Sequence, residues 1–203
     1  MRALERFFLF MNKLTDLIIL NLLFFITCIP IVTAGASCTA LCQSTLRLAD
    51  NTESYIVRGY FAEWKKNLKQ GTLIWIPSLA MLALCVFNLS VLPAMPQSFY
   101  RTAAFCIQVL ILFILYGSLL HSFFLPEIYR QTARSTCKNA LYMTFKYLPH
   151  TFLNICISAL PVTLALILPK AAGLILSVFI VMGWSAVSYV QSLVFRHLIK
   201  AIL

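Results

Sequence analysis

The sequence predicts an all-α, polytopic membrane protein. Of its 203 residues, 61% are hydrophobic and only 11% are charged, whereas soluble domains use about 25% charged residues. The mean hydropathy is +0.89. Long apolar runs alternate with short basic segments, and ~20 apolar residues suffice for a membrane-spanning helix. Little polar sequence remains for a second domain, so we expect 1–203 to form a single integral membrane domain.

Five runs of the chain contain no charged residue. Four of them have the length of one span, whereas the first is too long for one, since ~30 residues of helix rise about 45 Å. The runs are 17–46, 70–100, 102–126, 147–169 and 171–195.

The first run is divided by Pro30 and Gly35. Bulky residues precede the break, and small residues follow it, of the kind that let membrane helices pack closely. We therefore expect a hairpin whose second arm, 34–49, is short and shielded by protein. Whether that arm crosses the membrane fully or is re-entrant stays open.

The distribution of positive charge supports the hairpin. With it the chain makes about six crossings with both termini cytoplasmic, and of 16 Lys and Arg residues only Arg101 and Lys170 lie outside. If the first run is a single span, the chain makes five crossings and its Lys and Arg residues are divided less unevenly between the two sides of the membrane. Because cytoplasmic loops are enriched in Lys and Arg, six crossings are favoured.

A cleaved signal peptide is the alternative for this region, since Ala34-Gly35-Ala36 resembles a cleavage site. However, the segment before the apolar core is long and contains Glu5 and Asp16. Signal peptides begin instead with a short basic region. We therefore expect the segment to be retained.

A basic, aromatic segment precedes each hairpin, at 2–14, 55–69 and 133–148. In the second, Ile56, Tyr60, Trp64 and Leu68 recur every four residues, which is typical of an amphipathic helix lying on the cytoplasmic membrane surface. Two interpretations of the cations stay open: contact with anionic lipid headgroups, or docking of an acidic surface on a partner protein. The candidate contact residues are Arg58, Trp64, Lys65, Lys66, Lys69, Arg130, Arg134 and Lys138.

Signatures of catalysis are missing from the sequence. It has no zinc-protease, nucleophile-elbow, P-loop or dinucleotide motif, so we expect neither an enzyme nor a cofactor. Its seven cysteines are scattered, and Cys38 and Cys42 share a helix face without a nearby histidine or carboxylate, so we expect no metal site. The net charge of +10 is explained by basic cytoplasmic loops and by their contact with anionic lipid. We therefore expect no nucleic-acid partner.

Polar residues within the apolar runs are the remaining candidates for function. Interhelical hydrogen bonding explains them simply, and a polar cavity for an uncharged solute is the other interpretation. The candidates are Asn88, Gln108, His121 and Asn154.

Two segments resemble the YesL family of bacterial integral membrane proteins, whose function is unknown. Residues 21–41, with the break Pro30-Ile-Val-Thr-Ala-Gly35, resemble the first apolar segment of that family. Residues 56–75 resemble its basic, aromatic helix leading into the next span. The resemblance implies a multi-pass protein of the bacterial plasma membrane whose relatives are often encoded beside carbohydrate ABC transporters and sensor kinases. It implies no catalytic or binding residue.

The expected function follows from this resemblance and from the absence of catalytic motifs. We expect an accessory or regulatory component of carbohydrate ABC transport or sensing that contacts transporter or sensor-kinase subunits. The alternative is a facilitator or carrier for a small neutral solute.

Overall fold

The computed structural model describes residues 2–50, 52, 55–92, 99–125, 132–168 and 172–202. Within these ranges the chain is helical and contains no strand. The helices are α1 (Arg2–Cys28), α2 (Ala34–Asp50), α3 (Ile56–Val91), α4 (Phe99–Phe124), α5 (Ala133–Lys146), α6 (Leu148–Ile167), α7 (Ala172–Val178) and α8 (Trp184–Ile202). A 3-10 turn (Ile31–Thr33) precedes α2, and a π-helical turn (Phe179–Gly183) joins α7 to α8.

Five helices of the described chain are long and apolar enough to cross a membrane. This confirms the all-helical, multi-span prediction. The sixth predicted crossing corresponds to α2, which has 17 residues and is not among the five. The candidate spans are Met11–Cys28, Ile56–Val91, Tyr100–Phe124, Leu148–Ile167 and Leu176–Arg196.

The first apolar run breaks around Pro30. Pro30 has extended backbone angles (φ −77°, ψ 113°), and the Thr33 hydroxyl donates to the carbonyls of Thr27 and Pro30, both at 2.9 Å. Gly35 lies inside α2 and is not part of the break. The helix is interrupted at Pro30, between α1 and α2, and the interruption does not include Gly35.

Gly35 and Gly71 allow α2 and α3 to pack backbone to backbone. A Cβ atom on Gly35 would lie 2.6 Å from the carbonyl oxygen of Gly71, and one on Gly71 would lie 2.7 Å from the amide nitrogen of Ala36. Real Cβ atoms do not approach so closely. The missing side chains therefore set the distance between these helices.

Helix α2 lies in the interior of the fold. Thirteen of its 17 residues are buried, and it packs against α1, α3, α4 and α8. Leu20 and Phe24 of α1 pack with Ala40 and Leu41 of α2 in one apolar cluster. The prediction that this segment is shielded by protein is confirmed.

The basic segment predicted at 55–69 is not a separate interfacial helix. It continues into the second span, since α3 has 36 residues and a length of about 54 Å. No proline lies between the basic part of α3 and its apolar part. Pro77 follows the residues through which α3 packs against α2.

The predicted lipid-facing stripe of α3 packs instead on protein. Tyr60 is fully buried, and its hydroxyl lies 2.6 Å from the Thr27 hydroxyl. The indole of Trp64 is partly buried and donates to the Ser37 hydroxyl at 3.2 Å. Tyr60 and Trp64 of the stripe therefore pack against α1 and α2 and not on the membrane surface.

The π-helical turn between α7 and α8 is held by Asn21 of α1. The Asn21 amide donates to the Ile180 carbonyl at 2.6 Å and accepts from the Ser185 amide at 3.2 Å. A π turn disturbs the regular α-helical pairing, and a membrane interior offers no water for backbone groups that lose partners. Asn21, which is completely buried, supplies the required donor and acceptor.

Candidate functional site

Ion pairs gather at one end of the helix bundle. Arg47 of α2 lies 2.6 Å from Glu63 of α3, and Lys66 lies 3.1 Å from the same carboxylate. The Asn67 amide donates to it as well, at 3.1 Å. The Glu63 side chain is only 7% exposed, and its charge is compensated from within the chain.

A second ion pair ties the ends of α2 and α8 together. Arg196 lies 2.7 Å from Asp50 and also donates to the Ala49 carbonyl at 3.1 Å. The carboxyl ends of α2 and α8 and the first half of α3 therefore meet at one end of the molecule. We call this the charged end.

Three cations of α3 near the charged end point outward. Arg58, Lys65 and Lys69 are exposed, and spacings of seven and four residues place them on one helix face. None of the three pairs with a carboxylate among the residues that the structure describes. They differ in this from Lys66, which pairs with Glu63.

Helix α5 brings the second predicted basic stripe beside the first. The Gln70 amide of α3 donates to the Thr136 hydroxyl of α5 at 2.8 Å. Arg134 and Lys138, two residues to either side of Thr136, are exposed; Arg130 lies outside the described residues. We define the basic surface by the exposed cations of these two helices, Arg58, Lys65, Lys69, Arg134 and Lys138.

Lys146 is the last residue of α5, and its ammonium lies near two tyrosine rings. Its ammonium lies 5.5 Å from the ring centre of Tyr142 and 5.4 Å from that of Tyr147. Electrostatic interaction with Tyr142, and then with Tyr147, raises the pKa of Lys146. This cation is therefore held by aromatic rings of its own chain, at Tyr142 and Tyr147.

The predicted intramembrane polar residues occupy different environments. Asn88 is exposed on the surface of α3. Gln108 is 6% exposed, and its amide nitrogen has no hydrogen-bond partner in the described part of the chain. His121 contacts the Thr151 hydroxyl at 3.0 Å and lies against the Phe195 ring, so it is a hydrogen-bonded packing residue.

Asn154 belongs to a group of polar side chains from three helices. The Gln191 amide of α8 donates to the Ser158 hydroxyl at 2.7 Å and to the backbone carbonyl of Asn154 at 3.2 Å. Ser158 in turn donates to that carbonyl at 2.8 Å, and the Tyr116 hydroxyl of α4 lies beside Ser158. We call these four residues the polar junction.

A chain of hydroxyl groups joins α2 to α8 nearby. Thr45 lies 2.9 Å from the Ser188 hydroxyl and 2.8 Å from that of Ser192. Ser188 also contacts the Cys42 sulfur at 3.7 Å. These groups bond to one another and hold the two helices together.

No group of three or more metal-ligating side chains occurs among the described residues. Cys42 is buried and Cys38 half-buried, and both are free thiols. They pack with apolar neighbours, as small hydrophobic residues do.

No sequence pattern indicated Tyr116, Ser158 or Glu63 as candidate site residues. Ser158 follows Asn154 by four residues, so the two share a helix face, and this spacing was a usable signal. Nothing in the sequence pairs Glu63 with Arg47, because the two residues meet only when α2 packs on α3.

Comparison with known proteins shows a match to one family model over part of the chain. Residues 17–89 match a family model described as "Protein of unknown function, DUF624". The matched part contains the second half of α1, all of α2 and most of α3. No curated protein matches the chain, and no solved structure matches it.

Proposed function

We propose that this chain is a multi-pass protein of the bacterial plasma membrane that serves as an accessory or regulatory component of a carbohydrate ABC transport or sensing system. In this role the basic surface docks an acidic cytoplasmic surface of a transporter or sensor-kinase subunit. The YesL-like segments at 21–41 and 56–75 support the proposal, and both lie inside the matched region 17–89.

The proposed topology has α1 and α2 as two arms of a hairpin and both termini in the cytoplasm. The Asp50–Arg196 pair supports it, because it joins the end of α2 to the end of α8. Several cations collect at that charged end, as the excess of positive charge in cytoplasmic loops requires.

The observation that favours docking is the contrast between paired and unpaired cations. Arg47, Lys66 and Arg196 neutralise carboxylates of their own chain. The exposed cations of the basic surface have no carboxylate partner in the described ranges. Such a cluster attracts an anionic surface and speeds its encounter with the protein.

Crosslinking of native membranes tests this proposal. A lysine-reactive reagent is applied before purification in mild detergent, and linked peptides are identified by mass spectrometry. We expect Lys65 and Lys69 to link to a permease, ATPase or sensor-kinase subunit, at peptides rich in Asp and Glu. In mild-detergent purification without the crosslinker, the triple variant Arg58→Glu, Lys65→Glu, Lys69→Glu should reduce recovery of that subunit by tenfold or more.

The matched control is Arg101→Glu, a charge reversal on α4. It should leave recovery unchanged. Equal recovery from the triple variant and the control, or retention of anionic lipid without any protein partner, would contradict the docking proposal.

A second candidate function is facilitated passage of a small neutral solute, as the polar junction suggests. A flux assay in vesicles separates the two. Asn154→Ala should abolish flux if the chain is a carrier and should leave partner recovery unchanged if it is an accessory component.

A further inference from the structure

An apolar groove lies on the surface of α3, where the basic part of the helix meets its apolar part. Its volume is about 480 Å³, and its lining residues are Leu68, Lys69, Thr72, Leu73, Ile76 and Pro77. Leu73 and Ile76 are 65% and 51% exposed. The groove is therefore open at the outer surface of the helix bundle.

Lys69 stands at the end of the groove that faces the headgroup region of a membrane. It is the last charged residue before the charge-free run 70–100, and chains are charged where they leave the hydrocarbon core. Spacings of four and seven residues place Leu73 and Ile76 on the same helix face as Lys69. The groove thus combines one cation with an apolar floor that extends into the membrane.

The floor of the groove is suited to hydrocarbon. The Thr72 hydroxyl donates to the Val32 carbonyl at 3.3 Å, so its proton is used within the chain. Pro77 has no amide hydrogen to offer a ligand. Among the six lining residues, Lys69 alone is charged, so an anionic group binds at that end and an apolar group along the rest.

The charge of Lys69 is not compensated within the described part of the chain. The neighbouring Lys66 pairs with Glu63 at 3.1 Å, whereas Lys69 has no carboxylate partner there. Lys65, one helical turn before Lys69, is exposed as well. Exposed ammonium groups at a membrane surface attract the phosphate groups of anionic lipids.

We propose that this groove binds one anionic phospholipid, with its phosphate at Lys69 and an acyl chain along Leu73, Ile76 and Pro77. A zwitterionic lipid has the same chains but carries its own cation, so it gains less from Lys69. The inference does not rest on the docking of a partner protein. Arg58 lies eleven residues before Lys69, about 16 Å along the helix, and stays available to such a partner.

Photolabelling of the purified full chain tests the site. The chain is reconstituted in phosphatidylcholine vesicles with a trace of phosphatidylglycerol that carries a diazirine on one acyl chain, and labelled peptides are mapped by mass spectrometry. We expect the labels within 68–77. Lys69→Gln should reduce labelling of this segment about fivefold, as the loss of one cation near anionic lipid requires. Leu73→Trp, a bulkier side chain at an exposed position, should reduce it similarly without changing the charge.

Arg58→Gln is the matched control, because it removes an exposed cation of α3 far from the groove and should leave labelling unchanged. Lys69→Arg keeps the charge and should keep the labelling. The proposal is overturned if diazirine phosphatidylcholine labels the segment as strongly, if Lys69→Gln labels like Arg58→Gln, or if the labels lie outside 68–77. These vesicles contain no partner protein, so the result is separate from that of the crosslinking experiment.

Discussion

Replacement of Asn21 tests whether one side chain holds the π-helical turn. The Asn21→Ala substitution removes the donor to the Ile180 carbonyl and the acceptor for the Ser185 amide, bonds of 2.6 and 3.2 Å. Both backbone groups then stay buried without these partners. The side chain is short, so the cavity left behind is small.

The expected loss of stability follows from these two bonds. A buried group without its partner costs ~1–3 kcal/mol, and interhelical hydrogen bonds in membrane proteins average ~0.6 kcal/mol each. Two bonds therefore set a lower limit of ~1.2 kcal/mol, and we expect ~2–4 kcal/mol because backbone groups are involved.

The assay is reversible unfolding in mixed micelles titrated with SDS and followed by tryptophan fluorescence. Trp184 follows the π-helical turn directly and reports on it. The matched control is Asn88→Ala, which removes an exposed amide and should change stability by less than ~0.5 kcal/mol. If the Asn21 and Asn88 variants unfold at the same SDS fraction, Asn21 does not stabilise the turn and the reasoning is wrong.

Two further predictions concern packing and topology. Gly71→Ala should destabilise the fold by ~1–3 kcal/mol, because the new methyl meets the backbone of Ala36; Gly173→Ala, where nothing lies within 4 Å, is its control in the same SDS titration. A reporter fused at Thr52 should behave as cytoplasmic and one inserted near Ala34 as external, and an external Thr52 would refute the proposed hairpin.

Much of the fold could be predicted because the thickness of the membrane determines the length of the apolar runs. Apolar runs of ~20 residues mark helices, and the break at Pro30 follows from proline chemistry. The small, polar composition of α2 pointed to a protein-covered helix, and 13 of its 17 residues are buried.

The direction of apolar helix faces was not predictable in the same way. In water an apolar stripe points to protein, but in a membrane both lipid and protein receive apolar side chains. Tyr60 and Trp64 were therefore assigned to lipid, although α1 and α2 cover them. The sequence pattern of α3 is the same in both cases.

The same distinction applies to the two candidate sites, the basic surface and the polar junction. The cations of α3 and α5 were identified from spacing, because a basic stripe is a local pattern. The polar junction depends on the meeting of α4, α6 and α8, and Asn154 and Gln191 are 37 residues apart. Only tertiary packing brings such residues together.

The burial of α2 also has a consequence for biosynthesis. Its 17 residues are rich in hydroxyl and amide groups, so this helix gains little by leaving the translocon for lipid on its own. Its Thr45 hydroxyl meets those of Ser188 and Ser192 in α8, which are synthesised 143 and 147 residues later. Helix α2 therefore reaches its final environment only after α8 has been synthesised, because its polar face stays uncovered until then.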